Sequence, residues 1–208
     1  MTAGLSPPRR AARPLAAVVA LSAWFGLAVQ FGATASHVPV PAAAWILARY
    51  FTIWVGLAVA IVFTGLALRR GPASPALIGG LTLNGLLVAV VYHLLLAGTL
   101  VQTGPERLAD LFLHGVTPAL VLAYWLLRVP RGALRYADVA PWAAAPLLYL
   151  AVALARGAAD GIYPYPFLDV AAFGRAAVAR NAAGIAAGFL ASGAALVWFD
   201  RRLGGPAG

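Results

Sequence analysis

Apolar residues form six runs of roughly 20 residues along the chain, without the polar–apolar alternation typical of strands. Backbone groups inside hydrocarbon must pair within their own segment, so such runs predict membrane-spanning helices. The expected helices cover about 14–35, 46–68, 76–97, 109–127, 141–156 and 178–200. We therefore expect an all-α membrane protein with a single six-helix transmembrane domain over residues 1–208.

The first apolar run has an alternative interpretation. It follows a basic start, and Ala33-Thr-Ala35 is typical of a signal-peptide cleavage site. The run is longer than the apolar core of a typical signal peptide, which favours a retained helix.

Prolines and small residues predict local features of the last two helices. Pro141 and Pro146 predict a kink near the start of the short fifth helix. Gly184, Gly188 and Ser192 recur every four residues in the sixth, and such a stripe predicts close packing against another helix.

Composition supports membrane insertion, because 62% of the residues are hydrophobic and only 10% are charged. The net charge of +9 comes from fifteen arginines and no lysine. These arginines lie between apolar runs, so we expect contact with anionic lipid at the cytoplasmic face and no binding of nucleic acid. The chain has no cysteine and therefore no thiolate metal site.

Arginine placement predicts an orientation in the cell membrane. With the N-terminus inside, ten arginines fall on the inner side and five on the outer side, where four of the six acidic residues also lie. The inner set is Arg9, Arg10, Arg13, Arg69, Arg70, Arg128, Arg131, Arg135, Arg201 and Arg202. The positive-inside rule then predicts that both termini are cytoplasmic. The sequence indicates no oligomeric state.

Candidate chemistry gathers at the outer ends of the helices. Thr52 lies just inside the second helix and His114 just inside the fourth, at the same predicted depth of roughly 5 to 10 Å. Asp110 precedes His114 by four residues, on the same helical face, and could orient its ring. A nucleophile, a base and a carboxylate would thus share one outer pocket. Thr52 could instead bond to its own helix carbonyl, and Asp110 could simply favour the helix dipole.

Further pocket candidates lie at the same depth or in the outer loop of about 157–177. His93 and Asn181 lie near the outer ends of the third and sixth helices. The loop carries the aromatic residues Tyr163, Tyr165 and Phe167, which could form a lid or entry wall. His93 could be only structural, and Asp169 could be only a loop cap.

Three motifs resemble the Pr6Pr and FAR-17a/AIG1-like membrane family. They are Arg49-Tyr-Phe-Thr-Ile53, His114-Gly-Val-Thr-Pro118 and Gly161-Ile-Tyr-Pro-Tyr-Pro-Phe-Leu-Asp169. Characterised animal members are multipass hydrolases of fatty acid esters of hydroxy fatty acids and use a threonine and a histidine. The resemblance implies these roles for Thr52 and His114.

We therefore expect an intramembrane threonine hydrolase of lipid esters, with a membrane lipid or fatty acid ester as substrate and neither metal nor cofactor. The alternative is a non-catalytic lipid-binding or transport protein whose outer pocket only holds a head group. A third hypothesis is a b-type haem protein in which His93 and His114 are the iron ligands.

Overall fold

The computed structural model describes residues 12–68, 74–98 and 104–204, and within these ranges the chain is helical without any strand. Its helices are α1 (Ala12–Ala35), α2 (Val40–Leu47), α3 (Phe51–Leu68), α4 (Pro75–Val91), α5 (Pro105–Leu111), α6 (Thr117–Arg128), α7 (Val139–Asp160) and α8 (Val170–Leu203). A π-helical turn at Tyr92–Leu96 extends α4, and a second at Phe112–Val116 joins α5 to α6. Short 3₁₀ turns occupy Tyr136–Asp138 and Pro166–Leu168.

Six helical segments in the described ranges are long and apolar enough to cross a membrane. They are α1, α3, α4 with its π turn, α5 through α6, α7 with the preceding 3₁₀ turn, and α8. This confirms the predicted all-α, six-helix class of a multi-pass membrane protein. Six alternating crossings bring the start of α1 and the end of α8 to the same end of the bundle. The inner arginines Arg9, Arg10, Arg69 and Arg70 lie outside the described residues.

Some predicted helix boundaries were wrong. The second helix was expected from residue 46, but tight turns at 48–50 separate the short α2 from α3. In these turns the amide of Arg49 donates to Ile46, and Arg49 turns towards a carboxylate on α7. Helix α7 is longer than expected and contains Pro146 in its interior. Helix α8 begins earlier than expected, with one non-helical residue, Gly174.

The core lies mainly between α1, α3, α4 and α6, whose buried faces carry Val19, Val59, Phe63, Ile78 and Val121. A buried hydrogen bond of 2.7 Å between the Ser22 and Thr117 hydroxyls links α1 to α6. In hydrocarbon such side-chain pairs help to hold helices together where lipid offers no partner. This half of the bundle supports α3 and the π turn beside α6, which carry the candidate site.

The small-residue stripe of α8 does not pack as predicted within the chain. A Cβ atom added to Gly184 or Gly188 would meet no atom within 4 Å, and Ser192 is exposed. The close approach of α8 occurs instead at Gly193, where an added Cβ would lie 2.8 Å from Cγ1 of Val139. The stripe has the right spacing for packing, but the buried face of α8 follows the positions that meet α4 and α7.

Candidate active site

Thr52 and His114 meet at one end of the bundle. Thr52 lies in the first turn of α3, and His114 lies in the π turn between α5 and α6. Thr52 Oγ1 is 3.1 Å from His114 Nε2, which is hydrogen-bond distance, and both side chains are partly buried. The structure therefore brings together the two residues that the sequence placed at a common depth.

The Thr52 hydroxyl has a different kind of partner from three other helical threonines. Hydroxyls that donate to the carbonyl four residues earlier belong to Thr34, Thr64 and Thr82. For Thr52 that carbonyl is Ala48, which already accepts the indole N–H of Trp54 at 2.9 Å. The hydroxyl of Thr52 points to the imidazole of His114 instead. The alternative in which Thr52 bonds to a carbonyl of its own helix is therefore not what the structure has.

Asp110 lies behind the imidazole. Its Oδ1 is 2.8 Å from His114 Nδ1, but the ring is turned so that the contact is electrostatic and not a well-aligned hydrogen bond. A carboxylate at this distance favours a proton on Nδ1 and leaves Nε2 as an acceptor for the Thr52 proton. The three residues thus lie in the order hydroxyl, imidazole and carboxylate, which is the order that nucleophilic catalysis with a general base uses.

Tyr92 holds this pair from the side. Its ring stacks on His114 with centroids 4.0 Å apart and planes 15° from parallel. Its hydroxyl interacts with Asp110. One residue therefore restrains both the imidazole and the carboxylate. Sequence reasoning missed Tyr92, and the available signal was a tyrosine next to His93 near the end of an apolar run.

Both π turns lie at the site. Pro118 has no N–H to donate to the carbonyl of His114 four residues earlier, so the regular series of α-helical hydrogen bonds is interrupted just before Pro118. In the other turn the Ala97 amide reaches back five residues to the Tyr92 carbonyl at 2.8 Å. Each π turn shifts the directions in which the side chains after it point, and such turns often occur at functional sites.

A cavity of about 220 Å³ opens from Thr52 and His114 into the bundle. Most of its wall is apolar, from α4, α7 and α8, with Leu87, Leu150 and Phe189 as examples. The polar groups that line it are those of Thr52, His114, Tyr92, Tyr149 and Tyr165. Apolar walls around a few convergent polar groups are typical of a small-molecule site.

The loop between α7 and α8, which we call the outer loop after its predicted side, contributes to this cavity, but not through all the predicted residues. Tyr165 and Phe167 line it, with their rings stacked at 5.3 Å between centroids. Tyr163 is not among the lining residues, and its ring covers Gly157 on α7. The loop is held by Asn181, whose amide donates to the Phe167 carbonyl at 3.0 Å.

Two other predicted candidates lie outside the cavity. Asp169 caps α8 by accepting the amides of Ala171 and Ala172, which is the structural role left open for it. His93 is exposed, and its Nδ1 is 2.8 Å from the Ala89 carbonyl of its own helix. His93 and His114 therefore do not face a common space. Within 12–68, 74–98 and 104–204, no group of three or more histidine or acidic side chains is arranged to hold a metal ion.

An ion pair ties the loop to the start of α3. The guanidinium of buried Arg49 donates to both carboxylate oxygens of Asp160, at 3.0 and 2.7 Å, and to the Ile162 carbonyl at 2.6 Å. This pair raises the pKa of Arg49 above its already high value. The Tyr149 hydroxyl donates to the Arg49 carbonyl at 2.7 Å. We call this set, Arg49, Asp160, Ile162 and Tyr149, the outer latch.

Sequence reasoning did not identify the outer latch. Arg49 and Asp160 are 111 positions apart, so nothing local couples them. The available signal was an arginine on the side where positive charge is scarce, at the edge of an apolar run. Such a residue commonly has an acidic partner.

Comparisons with known proteins find no relative: no family model matches the chain, and no curated protein or solved structure matches it. The family resemblance of the three motifs therefore stays an expectation, and the site has to be interpreted from its geometry.

Proposed function

We propose that this protein is an intramembrane ester hydrolase with Thr52 as nucleophile and His114 as general base, acting on lipid esters. The observation that carries the proposal is the 3.1 Å contact between Thr52 Oγ1 and His114 Nε2 in the wall of a largely apolar cavity. Asp110 on the far side of the ring supports the same order of roles.

In the first half-reaction, the Oγ1–H proton of Thr52 passes to Nε2 while Oγ1 bonds to the ester carbonyl carbon. The tetrahedral intermediate collapses, the bond to the alcohol oxygen breaks, and His114 returns its proton to that oxygen. The acyl group is then an ester of Thr52. In the second half-reaction, water gives a proton to Nε2 of His114 and its oxygen bonds to the acyl carbon. The bond from that carbon to Oγ1 then breaks, His114 returns the proton to Oγ1, and the acid leaves.

The cavity wall supports a lipid substrate. Its apolar side chains come from three helices and extend inward from the Thr52 hydroxyl, so an acyl chain entering from lipid would lie against them. Burial of such a chain contributes about 0.8 kcal/mol per methylene. The preference for fatty acid esters of hydroxy fatty acids rests on the family resemblance alone.

The same apolar wall favours a second candidate, a non-catalytic lipid-binding or transport protein. In that case the cavity holds an acyl chain and the hydroxyl of Thr52 only binds a head group. Turnover separates the two candidates, because a carrier binds a lipid ester without cleaving it.

We further propose that the site faces outward and that both termini are cytoplasmic, in the cell membrane. Six arginines of the described residues lie towards the opposite end of the bundle from Thr52: Arg13, Arg128, Arg131, Arg135, Arg201 and Arg202. Their charge supports an inner location next to anionic lipid.

The test is hydrolysis of a series of p-nitrophenyl acyl esters and fatty acid esters of hydroxy fatty acids by the purified protein in detergent. We expect Thr52→Ala and His114→Ala each to abolish turnover and the double variant to be no worse, because residues acting as one unit are not additive. Thr52→Ser should retain part of the activity.

Thr64→Ala is the matched control, because Thr64 lies on the same helix, its hydroxyl donates to the Ala60 carbonyl, and it is absent from the cavity wall. Its activity should equal that of the unmodified protein. Ester binding by the unmodified protein without hydrolysis would support the carrier.

A further inference from the structure

We infer that Tyr165 is a third catalytic residue, whose hydroxyl stabilises the oxyanion that forms when Thr52 attacks an ester carbonyl. The inference rests on the proposed hydrolase function and adds the group that binds the developing charge. A serine-type or threonine-type acyl transfer needs such a donor in addition to a nucleophile and a base.

Tyr165 reaches the nucleophile from a different element than the base does. It comes from the outer loop, yet only 9% of the residue is exposed. Its oxygen accepts the Phe51 amide proton at 3.1 Å, and Phe51 is the residue immediately before Thr52. Its hydroxyl lies beside Thr52, because both residues line the same cavity and Phe51 precedes Thr52 in the chain. Tyr165 and His114 thus approach the same threonine from different elements.

The hydrogen-bond pattern leaves the Tyr165 proton available. Its oxygen is already an acceptor, so its O–H must donate elsewhere. The Tyr149 hydroxyl beside it donates its own proton to the Arg49 carbonyl. The acceptors that remain next to Tyr165 are the oxygens of Tyr149 and Thr52. A donor with a choice of acceptors can turn to a new oxygen without breaking the rest of the network.

Elimination among the cavity-lining groups points to the same residue. Apart from Thr52 and His114, the polar side chains in the described part of the wall are three tyrosines. The Tyr92 hydroxyl is engaged by Asp110, and the Tyr149 proton is given to a carbonyl. Only the Tyr165 hydroxyl is both beside the nucleophile and without a fixed acceptor.

The chemistry places the negative charge within its reach. As Oγ1 bonds to the carbonyl carbon and its proton passes to Nε2, the π-electron pair moves onto the carbonyl oxygen. That oxygen is two bonds from Oγ1, so a hydroxyl beside Thr52 needs only a small movement to donate to it. Tyr165 gives a hydrogen bond and keeps its proton, and the charge returns to the leaving alcohol oxygen on collapse.

The experiment compares Tyr165→Phe with Tyr163→Phe. Both variants keep their rings, but Tyr163 packs on Gly157 away from the cavity, so it controls for loss of a loop hydroxyl. We expect Tyr165→Phe to lower kcat about 100-fold with little change in KM, which is the signature of a donor used only in the transition state. Tyr163→Phe should behave as the unmodified protein.

A second readout separates this role from loosening of the loop. An alkyl boronic acid forms a tetrahedral adduct with an active-site hydroxyl and mimics the oxyanion. Its affinity should fall about as far as kcat in Tyr165→Phe, whereas the affinity for a non-hydrolysable ether analogue, which cannot form an oxyanion, should not change. Equal weakening of both ligands would indicate a merely structural role and overturn the inference.

The other possible results also bear on the inference or on the hydrolase proposal. If Tyr165→Phe keeps kcat within about threefold while Thr52→Ala is inactive, Tyr165 is not the oxyanion donor and the hydrolase proposal stands. If the unmodified protein and Thr52→Ala do not differ in turnover, both proposals fall together. If Tyr165→Phe does not fold, 3-fluorotyrosine at 165 keeps the ring and makes the hydroxyl a stronger donor. An unchanged kcat would then overturn the inference.

Discussion

Alanine substitutions at two glycines of α8 test the packing of the last helix. Gly188 and Gly193 are five residues apart on one helix, and an added Cβ has opposite consequences at the two sites. At Gly188 it meets nothing within 4 Å. At Gly193 it would lie 2.8 Å from Cγ1 of Val139 and 3.2 Å from Cδ2 of Leu83, both closer than ordinary van der Waals contact.

The magnitude follows from two opposing effects. Replacing glycine by alanine inside a helix stabilises it by about 0.5–1 kcal/mol, because the unfolded chain loses conformational freedom. Overpacking of a close contact costs about 1–3 kcal/mol. The first effect is common to both sites, so the difference between Gly188→Ala and Gly193→Ala isolates the overpacking. At about 2–4 °C per kcal/mol for a chain of this size, Gly193→Ala should melt about 2–12 °C below Gly188→Ala.

The assay is thermal unfolding of both variants in the same detergent at the same protein concentration. Gly188→Ala should melt at or slightly above the temperature of the unmodified protein. If Gly188→Ala is the destabilised variant and Gly193→Ala is neutral, the buried and open faces of α8 have been assigned the wrong way round. The small-residue stripe would then be a contact face, as its spacing alone suggested.

Three further predictions concern the site and the topology. Trp54→Phe should lower kcat several-fold without loss of folding, because the freed Ala48 carbonyl then competes with the imidazole for the Thr52 hydroxyl. Steady-state kinetics, with Trp54→Tyr measured for comparison, would check this prediction, and an unchanged kcat in Trp54→Phe would refute it. Asp160→Asn should leave the Arg49 guanidinium without a charged partner and loosen the outer loop, so limited proteolysis within 161–169 should become faster, whereas equal cleavage rates would argue against the outer latch. A reporter fused to the C-terminus should be active on the cytoplasmic side of the membrane, and activity on the outer side would reverse the proposed orientation.

The sequence by itself determined the fold class. Long apolar runs have only one way to satisfy their backbone groups in hydrocarbon, so six runs specify six helices whatever their contacts. It also put Thr52 and His114 at a common depth and Asp110 on the helical face of His114, since depth follows from distance to the apolar boundary and i, i+4 spacing puts two side chains on one face. These are local or one-dimensional quantities, and the 3.1 and 2.8 Å contacts agree with them.

Only the tertiary structure decided which of several polar residues at that depth face the cavity. Tyr92 lies inside it and His93 outside, although they are neighbours, because a π turn there departs from the regular 3.6-residue period on which sequence patterns rest. Tyr165 and Tyr163 also have different surroundings. Gly157 accommodates the Tyr163 ring, whereas the Phe51 amide at the start of α3 donates to the Tyr165 hydroxyl. Residues brought together from distant parts of the chain follow no periodic pattern in the sequence. The packing of α3, α7 and the outer loop decides which of them meet.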